Sequence, residues 1–225
     1  MNNIILALEQ PTQVSIEIVD ILKNEIAGIK VNHLFLNKTE FLNKSNSVIA
    51  DLKLYDVPKT MGLIVEDLIK NNYDSVTIHL SNGLKSLEWM VKTFGDYIKL
   101  IGVSFLTSFS VKEIEAIYNC DYSKAVKYFT SLAIHSGFSG IVCAPFLDID
   151  IINEYDSKHI LTKYCPGIRI KLDDEKHGHS RSNTPKEAIK KGANYLIIGS
   201  PILNSKEPLK TINEIKALYE NQNYI

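Results

Sequence analysis

The stretch Ala50-Asp51-Leu52-Lys53-Leu54-Tyr55-Asp56-Val57-Pro58-Lys59-Thr60 orders the reading of the whole chain. Apolar Val48 and Ile49 precede it and a segment of helical period follows, so it reads as a strand, a short loop and the start of a helix. Asp51, Lys53 and Asp56 fall within six positions of one another. A backbone extended through Lys53 places Asp51 and Lys53 on one face of the strand. A carboxylate and an ammonium then meet at a strand end, with a second carboxylate in the loop behind. Packing alone seldom calls for such a cluster, because buried charges cost several kcal/mol unless paired. The bland alternative is a solvated ion pair at a strand terminus.

Outward from this unit, the pattern repeats. Apolar, β-rich runs are expected to be strands at 4–8, 28–31, 48–52, 75–79, 99–105, 140–143, 161–165 and 195–198. Helical period lies between them. Val14, Ile18, Ile21 and Leu22 define one expected helix face, 57–68 gives another, and 111–134 is long enough for two helices. Thr184-Pro185-Lys186-Glu187 reads as a capping-box start.

Eight strands alternating with helices predict an α/β fold, a (β/α)8 barrel, with residues 1–225 as a single domain. A doubly wound open sheet is the alternative. It would usually show a glycine-rich turn after the first strand, where this chain has Leu8-Glu9-Gln10-Pro11. Barrels assemble their sites at the C-terminal ends of the strands. Glu9, Lys30, Asp51, Lys53, His79, Ser104, Thr107, Arg169 and Ser200 all fall at such ends.

Bulk properties narrow the function. A chain of 225 residues can bury one large core. A formal net charge of -1 provides no field for nucleic acid or an anionic membrane, and neither is expected as a partner. No apolar run approaches the roughly 20 residues of a membrane span. Met1-Asn2-Asn3-Ile4 shows no basic leader or cleavage pattern, so no signal peptide and a cytoplasmic location are expected. Cys120, Cys143 and Cys165 are odd in number and far apart in sequence, which suits reduced thiols. His177-Gly178-His179 beside Asp173, Asp174 and Glu175 is weak evidence for a metal, and none is expected.

The central stretch resembles the D-x-K-x-x-D-[IV]-P-x-T signature of orotidine 5'-phosphate decarboxylases, through Asp51, Lys53, Asp56, Val57, Pro58 and Thr60. The resemblance extends along the chain in order. Ile5–Glu9 is similar to the family's opening strand, and Ile29-Lys30-Val31 to its second-strand lysine. Thr77-Ile78-His79 is similar to the fourth strand, Leu106-Thr107-Ser108 to the end of the fifth and Gly140–Ala144 to the sixth. Pro166-Gly167-Ile168-Arg169 and Ile198-Gly199-Ser200-Pro201 follow as the seventh and eighth.

This resemblance implies decarboxylation of orotidine 5'-phosphate to UMP in pyrimidine biosynthesis, with no metal or organic cofactor. It makes Lys30, Asp51, Lys53 and Asp56 the catalytic candidates. Lys53 would stabilise and protonate the carbanion at C6, and Asp51 would lie against the departing carboxylate. Asp56 and Thr60 would serve the active site of a partner subunit, which makes a homodimer the expected assembly. Glu9, Thr60, His79, Thr107, Ser110, Pro166, His179, Arg181, Gly199 and Ser200 are the substrate-binding candidates. His79, Ser110 and Thr107 have a structural reading as well, since such residues also cap helices.

Departures cluster at one end of the substrate. Glu9 stands where the family usually has Asp. Ser200 stands where it has an arginine that grips the phosphate. The loop 173–183 lacks the family's usual glutamine. Arg181, helped by His179, is the expected replacement cation, and a substrate without the usual 5'-phosphate is the alternative. Two further readings stay open: a metal-using relative acting on a sugar phosphate, against which Val57-Pro58-Lys59-Thr60 argues, and a nucleotide-binding homologue without turnover.

Overall fold

The computed structural model describes residues 2–36, 38, 44–170 and 183–220. Its eight strands are β1 (Ile4–Leu8), β2 (Gly28–Val31), β3 (Val48–Leu54), β4 (Ser75–His79), β5 (Lys99–Val103), β6 (Gly140–Val142), β7 (Thr162–Cys165) and β8 (Tyr195–Ile198). They pair in parallel in chain order, and β8 returns to β1 through Ile4↔Leu196 and Leu6↔Ile198 to close the barrel. The expected (β/α)8 architecture is therefore the observed one. Closure removes every sheet edge and leaves two faces to bury.

Both faces are apolar, as a parallel sheet covered by helices requires. Ile5, Ile49, Ile101, Tyr164 and Ile197 pack together inside the barrel. Alternate residues such as Ile4, Leu6, Ile29, Val48, Val76 and Leu196 join the larger core beneath the helices. Among the described residues, the helices are α1 (Gln13–Leu22), α2 (Pro58–Lys70), α3 (Leu84–Phe94), α4 (Val111–Tyr118), α5 (Tyr122–Ser136), α6 (Asp148–Tyr155), α7 (Pro185–Lys190), α8 (Ser200–Leu203) and α9 (Pro208–Glu220). None of them is long and apolar enough to cross a membrane. The described part of the β2–β3 connection contributes a single 3-10 turn, His33–Phe35.

Two local expectations are corrected, and a third, reduced thiols, gains a detail. The buried stripe of α1 is Ser15, Ile18, Val19 and Leu22, while Val14 and Ile21 are more than half exposed. The stripe follows i, i+3, i+4, i+7, and Val14 and Ile21 fall on its flank. Thr184 does cap α7, accepting from the Glu187 N–H at 3.3 Å, but its own N–H donates to Asn183 Oδ1 at 2.8 Å. That second bond takes the place of the expected return contact from Glu187. A reciprocal capping box is found instead at Ser110 and Glu113, opening α4. Finally, Cys143 and Cys165 lie side by side on β6 and β7, Sγ to Sγ 3.7 Å, as buried free thiols. Their separation in sequence hides the adjacency of their strands.

Candidate active site

The C-terminal ends of the strands enclose a cleft of about 490 Å³. Glu9, Lys30, Asp51, Lys53, Thr107, Pro166, Gly199 and Ser200 all line it. Strands β1, β2, β3 and β8 thus deliver their polar ends to one space, together with the loops after β5 and β7.

Asp51 is the centre of charge. Lys30 Nζ pairs with its Oδ2, and Lys53 Nζ lies 2.9 Å from the same oxygen. The Asp51 side chain is 9% exposed and that of Lys53 39%. Burial by itself would push the Asp51 carboxyl up, but Lys30 and then Lys53 outweigh it and hold the group down at about 2. Asp51 is therefore ionised at neutral pH. The cluster carries two positive charges to one negative, with the excess cation, Lys53, at the open side.

The backbone reaches this arrangement by a route that strict alternation does not foresee. Lys53 has φ 48, in the left-handed region, instead of continuing an extended strand. The β3–β4 register shifts between Ala50 and Leu54. The Lys53 N–H donates to Thr77 Oγ1 at 2.8 Å, and Thr77 Oγ1 donates to Asp51 Oδ1 at 3.0 Å. A non-glycine residue in such a conformation stores roughly 1–3 kcal/mol and persists only where its surroundings hold it.

Other candidates fall elsewhere. His79 does not line the cleft. Its Nδ1 accepts from the Ser81 N–H at 3.3 Å, its ring lies 5.6 Å from that of Tyr55, and burial holds its pKa below the usual value. It is a neutral capping residue. Ser110 is likewise drawn away from the cleft, its hydroxyl donating to Glu113 at 2.7 Å. Asp56 is exposed, with Oδ1 accepting from the Val57 N–H at 2.6 Å, and Thr60 sits in the first turn of α2. Neither lines the cleft of its own chain. Around them Tyr55, Val57 and Leu63 are each more than 60% exposed. His179 and Arg181 lie outside the described residues, as does the His177-Gly178-His179 motif. Among the described residues, no group of three or more His, Cys, Asp or Glu is placed to hold a metal ion.

Two participants escape the sequence reading. Asn32 lines the cleft, and its Nδ2 donates to the Glu9 carbonyl at 2.9 Å, tying the ends of β1 and β2 together. Its position two residues after Lys30 was the available signal. Thr77, buried on β4, reads in the sequence only as a strand residue, and its role depends on partners 24 and 26 positions away.

Comparison with known proteins agrees with this geometry. The model of the orotidine 5'-phosphate decarboxylase / HUMPS family matches residues 2–215. An orotidine 5'-phosphate decarboxylase from Oenococcus oeni is 34% identical over 179 residues, 79% of this chain and 77% of that protein. One from Helicobacter pylori is 31% identical over 190 residues, 83% of this chain and 82% of its own length. The crystal structure of orotidine 5'-phosphate decarboxylase from Lactobacillus acidophilus superposes with a TM-score of 0.78 at 22% identity, covering 98% of this chain and all of that one, and supports the fold. Matches of this length and identity fix the descent of the protein: the chain belongs to the orotidine 5'-phosphate decarboxylase / HUMPS family.

Proposed function

We propose that the protein is a carboxy-lyase that converts orotidine 5'-phosphate to UMP in pyrimidine biosynthesis. The observation that carries this reading is the pair of lysines on one oxygen of buried Asp51, at the mouth of a cleft large enough for a nucleotide. The bond between C6 and the carboxylate carbon breaks, CO2 leaves, and the electron pair stays on C6. That carbanion has no adjacent group to share its charge. Lys53, the exposed cation of the cluster, faces it, stabilises it and supplies the proton that completes UMP. Asp51 stands beside the departing carboxylate, and Lys30 holds Asp51 ionised and in place.

The working form in this reading is a homodimer acting in the cytoplasm, each chain a single barrel domain. Asp56 and Thr60 face away from their own cleft and reach the partner's. The exposed Tyr55, Val57 and Leu63, beside a groove floored by Gly62 and Trp89, support an apolar contact there. Arg181, with His179, supplies the cation for the 5'-phosphate that Ser200 lacks. Ser200 itself favours a second reading, in which the substrate carries no 5'-phosphate, because a hydroxyl donates one hydrogen bond and neutralises no charge.

The test is direct. The purified chain is given orotidine 5'-phosphate and orotidine, with and without chelator, and CO2 and UMP or uridine are measured. Turnover of the phosphate that survives chelation is the expected result. Equal turnover of orotidine would favour the second reading. Binding of UMP without CO2 release from either would sink both.

A further inference from the structure

We propose that Thr77 is a positioning residue, whose one hydroxyl locks the Lys53 backbone and the Asp51 carboxylate into a single unit. The inference rests on reading the cleft as the decarboxylation site. It goes beyond that reading by assigning a role to a β4 residue that does not line the cleft.

The argument begins with the broken ladder. Between Ala50 and Leu54 the regular β3–β4 pairing is interrupted, so the Lys53 N–H loses the carbonyl that a continuous strand would offer. The Lys53 N–H is part-buried, and a backbone N–H withdrawn from water without an acceptor is disfavoured. Thr77 is 1% exposed, and its Oγ1 takes this N–H at 2.8 Å. A hydroxyl has one proton and two lone pairs. With a lone pair committed to Lys53, the proton goes to Asp51 Oδ1 at 3.0 Å. The other carboxylate oxygen, Oδ2, is thereby turned toward Lys30 and Lys53. Among the described residues, Lys30 on β2, Lys53 on β3 and Thr77 on β4 hold Asp51, and of these three Thr77 also holds the backbone of the proton donor.

Two consequences follow. Without the hydroxyl, the left-handed φ of Lys53 loses its anchor, and the backbone relaxes toward the extended conformation of its neighbours, which redirects the Cα–Cβ bond and carries Nζ away from C6. Displacements of about 1 Å at a reacting group cost on the order of 10²-fold in rate. Asp51 also loses a donor that favours its ionised form.

The experiment compares wild type with Thr77→Val, which keeps the branched shape, and Thr77→Ser, which keeps the hydroxyl. The expected result is a fall in kcat of about 10²-fold for Thr77→Val, with KM and the affinity for UMP changed less than about threefold. Thr77→Ser should recover to within about fivefold of wild type. A readout independent of turnover is the carboxyl carbon resonance of Asp51 by NMR. Its titration should move to higher pH in Thr77→Val and stay in place in Thr77→Ser. If Thr77→Val does not fold, Thr77→Cys, with a weak donor of similar size, takes its place. Wild-type kcat and an unmoved Asp51 titration in the variant lacking the hydroxyl would overturn the proposal. So would equal loss in Thr77→Ser and Thr77→Val, since the methyl group would then be what matters. If the wild type releases no CO2, the activity reading fails by itself, and the NMR titration still decides whether Thr77 holds Asp51.

Discussion

The two ends of the cleft are built differently. At the β2–β4 side, Lys30, Asp51, Lys53 and Thr77 all sit on strands and satisfy one another through short contacts. At the β7–β8 side the lining comes from Pro166, Gly167, Ile168, Arg169, Gly199, Ser200 and Pro201, which follow their strands. The first end carries Asp51 and Lys53 of the signature stretch. By the resemblance, the second has Ser200 where an arginine is expected. Strand residues at a reacting centre are coupled to one another and to the sheet, so a single exchange disturbs several contacts. Loop residues that grip a remote group can be traded for a cation elsewhere on the rim, provided the binding energy is still delivered. The difference teaches that chemistry and anchoring can diverge at separate speeds within one cleft.

The largest effect should come from the strand end. In the proposed mechanism Lys53→Ala removes both the proton donor and the more exposed cation of the Asp51 cluster, and turnover should fall by about 10⁴-fold or more with the fold retained. A folded Lys53→Ala protein with near wild-type CO2 release would break the comparison outright. Mixing inactive Lys53→Ala with inactive Asp56→Ala probes whether the strand end is completed by a partner. In a mixed dimer one site carries both lesions and the other neither. Equal mixing should restore about a quarter of wild-type activity, by random pairing of two-fold symmetric subunits. Verified subunit exchange without recovery would confine each site to one chain.

The loop end should respond more mildly and more selectively. Arg181→Ala should lower kcat/KM for orotidine 5'-phosphate by about 10–100-fold, the size of a charge-assisted contact, and leave orotidine nearly untouched. A uniform loss on both substrates would place Arg181 elsewhere than at the phosphate. If His179 contributes its charge, KM for the phosphate substrate should rise as pH passes about 6.5, while orotidine shows no such trend.

The smallest effect is on stability. Asp51 has a carboxyl held at about 2, below its value in an unfolded chain. A lowered carboxylate stabilises the fold fully above the unfolded value of about 3.9 and loses that contribution as pH falls through about 2. The contribution is on the order of 2 kcal/mol. Denaturation of wild type and Asp51→Asn, measured between pH 6 and 2, should show an advantage of wild type that narrows over that window. An advantage that is constant with pH would mean that the charge of Asp51 is not what stabilises the barrel.

Much of the barrel was legible because its strands are short, β-rich and buried on both faces. Gly28–Val31, Ser75–His79 and Tyr195–Ile198 have the limits that their composition suggests. Composition carries the fifth strand to Phe105, yet it ends at Val103, the last residue with a partner on β6. Apolar composition reports burial, whereas pairing decides where a strand stops. The ion cluster was legible through residue types and spacing. The conformation of Lys53 was not, because it is set by the register of β3 against β4 and by a hydroxyl on another strand. His79 and Ser110 are substrate-binding candidates by the resemblance and capping residues by their own chemistry. Their polar atoms are spent on nearby groups, a use that only local geometry reveals.

The left-handed backbone at Lys53 bears on how this enzyme could be engineered. Glycine or asparagine would occupy φ 48 with less strain than lysine, and either would relieve the excess positive charge around Asp51. Thermostability screening of a library at this position, with no selection for turnover, should therefore enrich Lys53→Gly and Lys53→Asn and discard the lysine. Residues that a barrel keeps against its own stability mark the places where selection has acted on rate, and that enrichment would make Lys53 such a place.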